Sequence, residues 1–170
     1  MKSNTFISAF VLLFFSLATP SYAENPDHVK KIKQTKQCPG CDLSGADLSK
    51  LNLRQANLQG ADLSGANLVG TDLKKANLSN AILTGADLGG ANLIGANLSN
   101  ARLNSANLMW SQLMDTNFRG ASLVNVEISE ANFTGSDVTD TNFNGVRCGK
   151  YPGTYTAPDG SISKAWCTRS

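Results

Sequence analysis

CDLSG ADLSK LNLRQ ANLQG ADLSG ANLVG, residues 41–70, falls into fives without remainder, and the same cut runs unbroken to TNFNG at residues 141–145. Twenty-one repeats result. The third position is apolar in all 21: Leu in sixteen, then Phe118, Phe133, Phe143, Ile128 and Val138. The first position is Ala in thirteen repeats, and the second is Asp or Asn in sixteen. A period of five matches neither a helix, with about 3.6 residues per turn, nor the alternation of a plain strand. It matches a short extended piece followed by a corner. In an extended piece the first and third positions point to one side, so the small residue and the Leu face inward and Asp or Asn faces out. The fourth and fifth positions make the bend, where Gly45, Gly60, Gly65, Gly70, Gly85, Gly90 and Gly95 supply permissive backbone. A chain that bends the same way every five residues winds into a coil, and successive coils pair through their backbones.

These repeats resemble the motif A-(D/N)-L-X-X of the pentapeptide repeat proteins, and the resemblance covers the whole of 41–145. It implies an all-β fold: a right-handed, four-sided β-helix with 20 residues per coil. About five coils, at ~4.8 Å between paired strands, make a rod roughly 24 Å long. Second positions such as Asn57, Asn77, Asn97 and Asn117 then stack in a ladder on one face. Departures from the motif gather after residue 100, at Arg102, Gln112, Ser122 and Glu127. Phe118, Phe133 and Phe143 suit a wider C-terminal end.

Four segments follow. Residues 1–23 read as a signal peptide: Lys2, a largely apolar run from Phe6 to Ala18, and Ser21-Tyr22-Ala23 before a cut at Glu24. The run is too short for the ~20 residues of a spanning helix, so no membrane insertion is expected after cleavage. The mature chain is expected to be exported, periplasmic or extracellular, in an oxidising compartment. Residues 24–40 form an N-terminal linker or cap, with a short helix opened by Asn25-Pro26 and Val29 and Ile32 on one face. The solenoid is 41–145. Residues 146–170 form a turn-rich C-terminal cap, and QCPGC at 37–41 and PDGS at 158–161 resemble the flanking segments of exported relatives.

Catalytic chemistry is hard to find. His28 is the single His, and no phosphate loop, nucleophile elbow or metal cluster appears; no cofactor is expected. Cys38-Pro39-Gly40-Cys41 has the spacing of a redox pair, but that motif opens a helix after a strand, whereas this one runs into a repeat. A c-type haem site needs His where Asp42 stands. Zinc needs four ligands, and Cys148 and Cys167 belong to the far end of the rod. That separation favours structural disulfides, Cys38 with Cys41 and Cys148 with Cys167. Three functions compete: a protein-binding or scaffold module, a DNA mimic directed at a topoisomerase, and an envelope redox protein using Cys38 and Cys41. Mimicry of a duplex with a charge every ~1.7 Å needs a strongly acidic surface. The repeats hold only 10 acidic against 6 basic residues, and export removes the protein from that target; no nucleic-acid partner is expected either. The binding module is preferred, with an unidentified protein or a second copy as partner. Its candidate patch is Ile94, Met109, Trp110 and Met114, large apolar residues at outward positions, with Gly89 and Gly90 leaving space beside the ring. The tail, through Tyr155 or Trp166, is the competing cover for that patch.

Overall fold

A computed structural model describes residues 25–148, 155–158 and 162–163. The segment read as a signal peptide, Cys167 and Trp166 lie outside the described residues. Each second position bridges, in parallel, the residue twenty further on, from Gln37–Asn57 through to Glu127–Arg147. The architecture is a right-handed quadrilateral β-helix, and residues 37–147, at 20 per coil, make about five and a half coils. The four faces are numbered here from the repeats that open them at Cys41, Ala46, Leu51 and Ala56.

Inside the rod, where a repeat has a coil on both sides, its backbone donors are all used. The third-position N–H donates to the second-position carbonyl of the next coil (Leu43 to Asp62, 2.7 Å), and the fifth to the fourth (Gly45 to Ser64, 2.8 Å). The second donates backwards to the first position of the previous coil (Asp62 to Cys41, 2.8 Å), and the first closes the turn (Ala46 to Leu43, 3.1 Å). Only the fourth N–H lacks a backbone partner, and the second-position side chain takes it. All sixteen Asp and Asn do so, as Asp62 accepts from Ser64 N–H at 2.9 Å and Asn97 from Ser99 N–H at 3.1 Å. This is the local side-chain turn that Asp and Asn favour. The fifth residue has φ between 56° and 72° in every repeat from Gly40 to Gly145, the left-handed third residue that marks a type II turn.

Inside, Leu and Ala form one continuous buried column. The hydroxyls that replace Ala are satisfied within it: Thr71 Oγ1 donates to the Leu48 carbonyl and Thr116 Oγ1 to that of Leu93, both at 2.8 Å. Phe118, Phe133 and Phe143 cluster at the C-terminal end, with ring centroids 5.6 and 6.4 Å apart. Inward residues of the repeats that stay half-buried, Leu51, Val138, Thr141 and Phe143, belong to the two terminal coils.

Helix α1, Pro26–Thr35, covers the first coil. Asn25 caps it by accepting from the Asp27 and His28 N–H groups, and Val29 and Ile32 are buried beneath it. His28 Nδ1 lies 3.1 Å from the Asp42 nitrogen, where the carbonyl of a preceding coil would otherwise accept. The ladder runs past both ends of the tract that the motif defines. Lys36–Gly40 already forms a side, with Cys38 buried at the Leu position, and Arg147 still bridges Glu127. Beyond it, β1 (Tyr155–Thr156) and β2 (Ile162–Ser163) pair antiparallel. Next to them the Pro158 carbonyl accepts the Gly135 N–H at 2.7 Å, as a further coil would. No helix among the described residues is long and apolar enough to cross a membrane.

Candidate interaction surface

Met109 and Trp110 turn the chain from face two to face three. Asn107 pins this corner: its Oδ1 accepts the Met109 N–H at 3.0 Å, and its Nδ2 donates to Asp87 Oδ1 at 2.9 Å. Trp110 takes the left-handed conformation, φ 58°, rarely adopted by a bulky residue. It is 62% exposed, and no other large hydrophobic among the described residues is exposed. Ile94 and Met114 sit on adjacent coils at the next corner, joined through the Gly95 N–H to the Met114 carbonyl at 2.9 Å. The exposed Gln112 stands between the two corners.

The four apolar residues are therefore not equally outward. Met109, Met114 and Ile94 are half-buried and border one projecting ring. Position explains the difference: the fifth residue stands out at the corner in every repeat from Gly40 to Asp140, whereas the fourth is mostly tucked beside the neighbouring coils. The space expected beside the ring is also only half there. A Cβ on Gly90 would meet nothing, but one on Gly89 would lie 3.1 Å from Asp87 Oδ1 and 3.5 Å from Asn107 Nδ2.

Cys38 and Cys41 are joined by a disulfide, Cα atoms 5.3 Å apart. They are the third and first positions on either side of the Pro39-Gly40 corner, and both are buried, 0% and 3% exposed. The bond ties the first corner from inside and offers no sulfur to an exchanging thiol, which needs access to attack. Cys148 is disulfide-bonded as well; its expected pairing with Cys167 lies outside the described residues. No group of three or more His, Cys, Asp or Glu among the described residues is placed to hold a metal ion.

Three exposed carboxylates titrate below the ordinary aspartate range, each chiefly through the residue two further on. Hydrogen bonds from the Ser44, Ser49 and Thr139 side chains, then from their backbone N–H groups, favour the ionised Asp42, Asp47 and Asp137. A reading along the chain misses one further grouping, because its members lie far apart in sequence. Lys50 is on the corner before face three, Arg54, Lys74 and Lys75 on the corner after it, and Lys36 Nζ reaches Asn52 Oδ1 on that face at 3.1 Å. Aligning the sequence in rows of twenty brings them together.

The family model described as pentapeptide repeats matches residues 40–74, 71–109 and 111–147. No curated protein matches the sequence. Among solved structures, a pentapeptide repeat protein (Rfr23) of the cyanobacterium Cyanothece 51142 is 28% identical, covers 74% of this chain and 95% of its own, and has a TM-score of 0.47. HetL of Nostoc, involved in heterocyst differentiation regulation, is 27% identical over 75% of this chain and 72% of its own, with a TM-score of 0.26. A pentapeptide repeat protein of the Arabidopsis thaliana thylakoid lumen is 30% identical over 60% and 68%, with a TM-score of 0.24.

Proposed function

Because the chain belongs to the pentapeptide repeat family, we propose that it is an exported, non-catalytic binding module that docks a protein partner at Trp110. Ile94, Met109 and Met114 form the margin of the contact. The observation that carries this reading is that Trp110 is the one exposed large hydrophobic among the described residues, on a rod whose other outward positions are nearly all polar or Gly. Tryptophan is enriched in interface centres and among the residues that dominate binding energy. Export rests on the N-terminal sequence, Lys2 through Ala23. A redox role loses support from the burial of both Cys38 and Cys41. DNA mimicry loses support from the cations bordering face three.

The test compares Trp110→Ala with Asn57→Ala, a substitution on face four, in a pull-down from the native envelope and in solution mass measurement. Trp110→Ala is expected to lose a partner, or a second copy, that Asn57→Ala retains. Retention of every partner and of the native mass by both variants would refute docking at this residue.

A further inference from the structure

The charges of the first three coils are sorted by face. Between residues 36 and 99 the cations are Lys36, Lys50, Arg54, Lys74 and Lys75, and all five stand on face three or reach it from its edges. The carboxylates Asp42, Asp47, Asp62 and Asp87 stand on faces one and two, and Asp42 and Asp47 have His28 and Lys33 of the cap beside them. Face three holds one carboxylate, Asp72, already paired with Arg54 at 3.3 Å. A formal charge near zero hides this separation. Crowded like charges left unpaired on one face create a local potential that salt only partly screens at these spacings.

The glycines extend the pattern. Lys50 Cγ lies 3.7 Å from the place of a Cβ on Gly70, and Lys75 Cγ lies 3.5 Å from that on Gly95. Both lysine stems therefore run along the rod towards its C-terminal end, one in the column of Gly70, Gly90 and Trp110, the other in that of Gly95 and Asp115. Face three thus presents, in order, cations, bare glycine backbone with the amide of Asn92, and then the Trp110 corner. Beyond Trp110 the sign reverses at Asp115 and Glu130.

We propose that face three receives an extended acidic segment of a protein partner, its carboxylates over Lys50, Arg54, Lys74 and Lys75 and an apolar side chain against Trp110. The proposal rests on the reading of Trp110 as a docking point and adds the chemistry of what docks there. The order of groups selects a protein segment. A uniformly anionic polymer or membrane surface lying along this face meets Asp115 and Glu130 immediately past the ring, whereas a segment that changes from acidic to apolar does not. Lys50 and Trp110 are three coils apart, ~14 Å, so the acidic cluster and the apolar residue are separated by about four extended residues.

The probe is a fluorescein-labelled peptide of consecutive glutamates, a Gly-Ser-Gly spacer and a phenylalanine, with a second peptide lacking the phenylalanine. Binding to the mature protein is expected to weaken steeply with salt. The double variant Lys74→Glu, Lys75→Glu is expected to lose about tenfold or more in affinity, and the face-one control Arg102→Glu little. Trp110→Ala is expected to remove only the advantage of the phenylalanine-bearing peptide. Melting curves establish that each variant is folded. Absence of binding, or equal binding by the Lys74, Lys75 double variant, overturns the proposal. So does tighter capture of phosphatidylglycerol vesicles or heparin through the same lysines. Loss of the phenylalanine advantage in Trp110→Ala with no effect of the lysine changes leaves docking at Trp110 standing and removes only the acidic segment.

Discussion

At Asn77 one side chain does two jobs: its Oδ1 accepts both the Ser79 N–H at 3.1 Å and the Ser79 hydroxyl at 2.8 Å. Asn77→Ala is expected to cost about 1 kcal/mol, the net worth of an ordinary hydrogen bond, and Asn77→Asp close to nothing. Leu93→Ala, which empties a fully buried site with coils on both sides, should cost about 2–5 kcal/mol. Urea unfolding of the three variants checks the order, and equal losses for Asn77→Ala and Leu93→Ala would contradict it. The alternation of the repeat told inward from outward at both residues. What it left out was the bond from Asn77 to the backbone two residues on, because that bond exists only once the corner is folded. Trp110 makes the opposite trade. A side chain in left-handed backbone costs about 1–2 kcal/mol, so Trp110→Gly is expected to raise stability by about 1 kcal/mol while losing the partner. Thermal melting of Trp110→Gly beside Trp110→Ala, which keeps the strain, separates the backbone effect from the loss of the ring.

Helix α1 shows what an element adds beyond its own length. Asn25, Pro26, Val29 and Ile32 announce it in the sequence, and each has the expected place. The true start of the coil was harder to read. Cys38 occupies a position that the motif gives to Leu, and Pro39-Gly40 looks like the middle of a redox pair when it is a fourth and fifth position like any other. Because α1 lies over the first coil, it also shields the Cys38–Cys41 bond. Ile32→Ala, which thins that cover, should speed reduction of the bond by dithiothreitol, followed by alkylation and mass spectrometry. The mid-rod amides should keep their hydrogen-exchange protection, since coils open locally. An unchanged reduction rate would mean that the cap does not guard the sulfurs. At the other end, acceptance of the Gly135 N–H by Pro158 had no sequence signal, because it joins a repeat to a tail that carries no periodicity.

For the whole molecule, repeat, period and core were legible because one small set of residue types recurs 21 times. The sorting of charge by face was not, since composition averages over all four faces. Acid sensitivity also belongs to this scale. Asp42, Asp47 and Asp137 have folded pKa values below their unfolded ones. The stability they contribute is therefore present above the unfolded value of about 3.9 and is lost as pH falls through the folded values. Urea midpoints should be level from neutral pH down to about 5 and then decline below about 4. The decline should be shallow, because these carboxylates are exposed and water screens them; a level profile into stronger acid would show that the three bonds carry no net stability.

The twenty-residue bridge has a geometric corollary. Azimuth on this rod is counted in whole repeats. Gaining one pentapeptide between Lys75 and Trp110 would swing everything downstream through a quarter revolution and carry the ring off the lysine-edged face, with every core contact type intact. Gaining four would return it to the same bearing, one storey higher. Duplication or loss of single repeats can therefore re-key which chemical groups share a face, in discrete clicks and with no redesign of the interior.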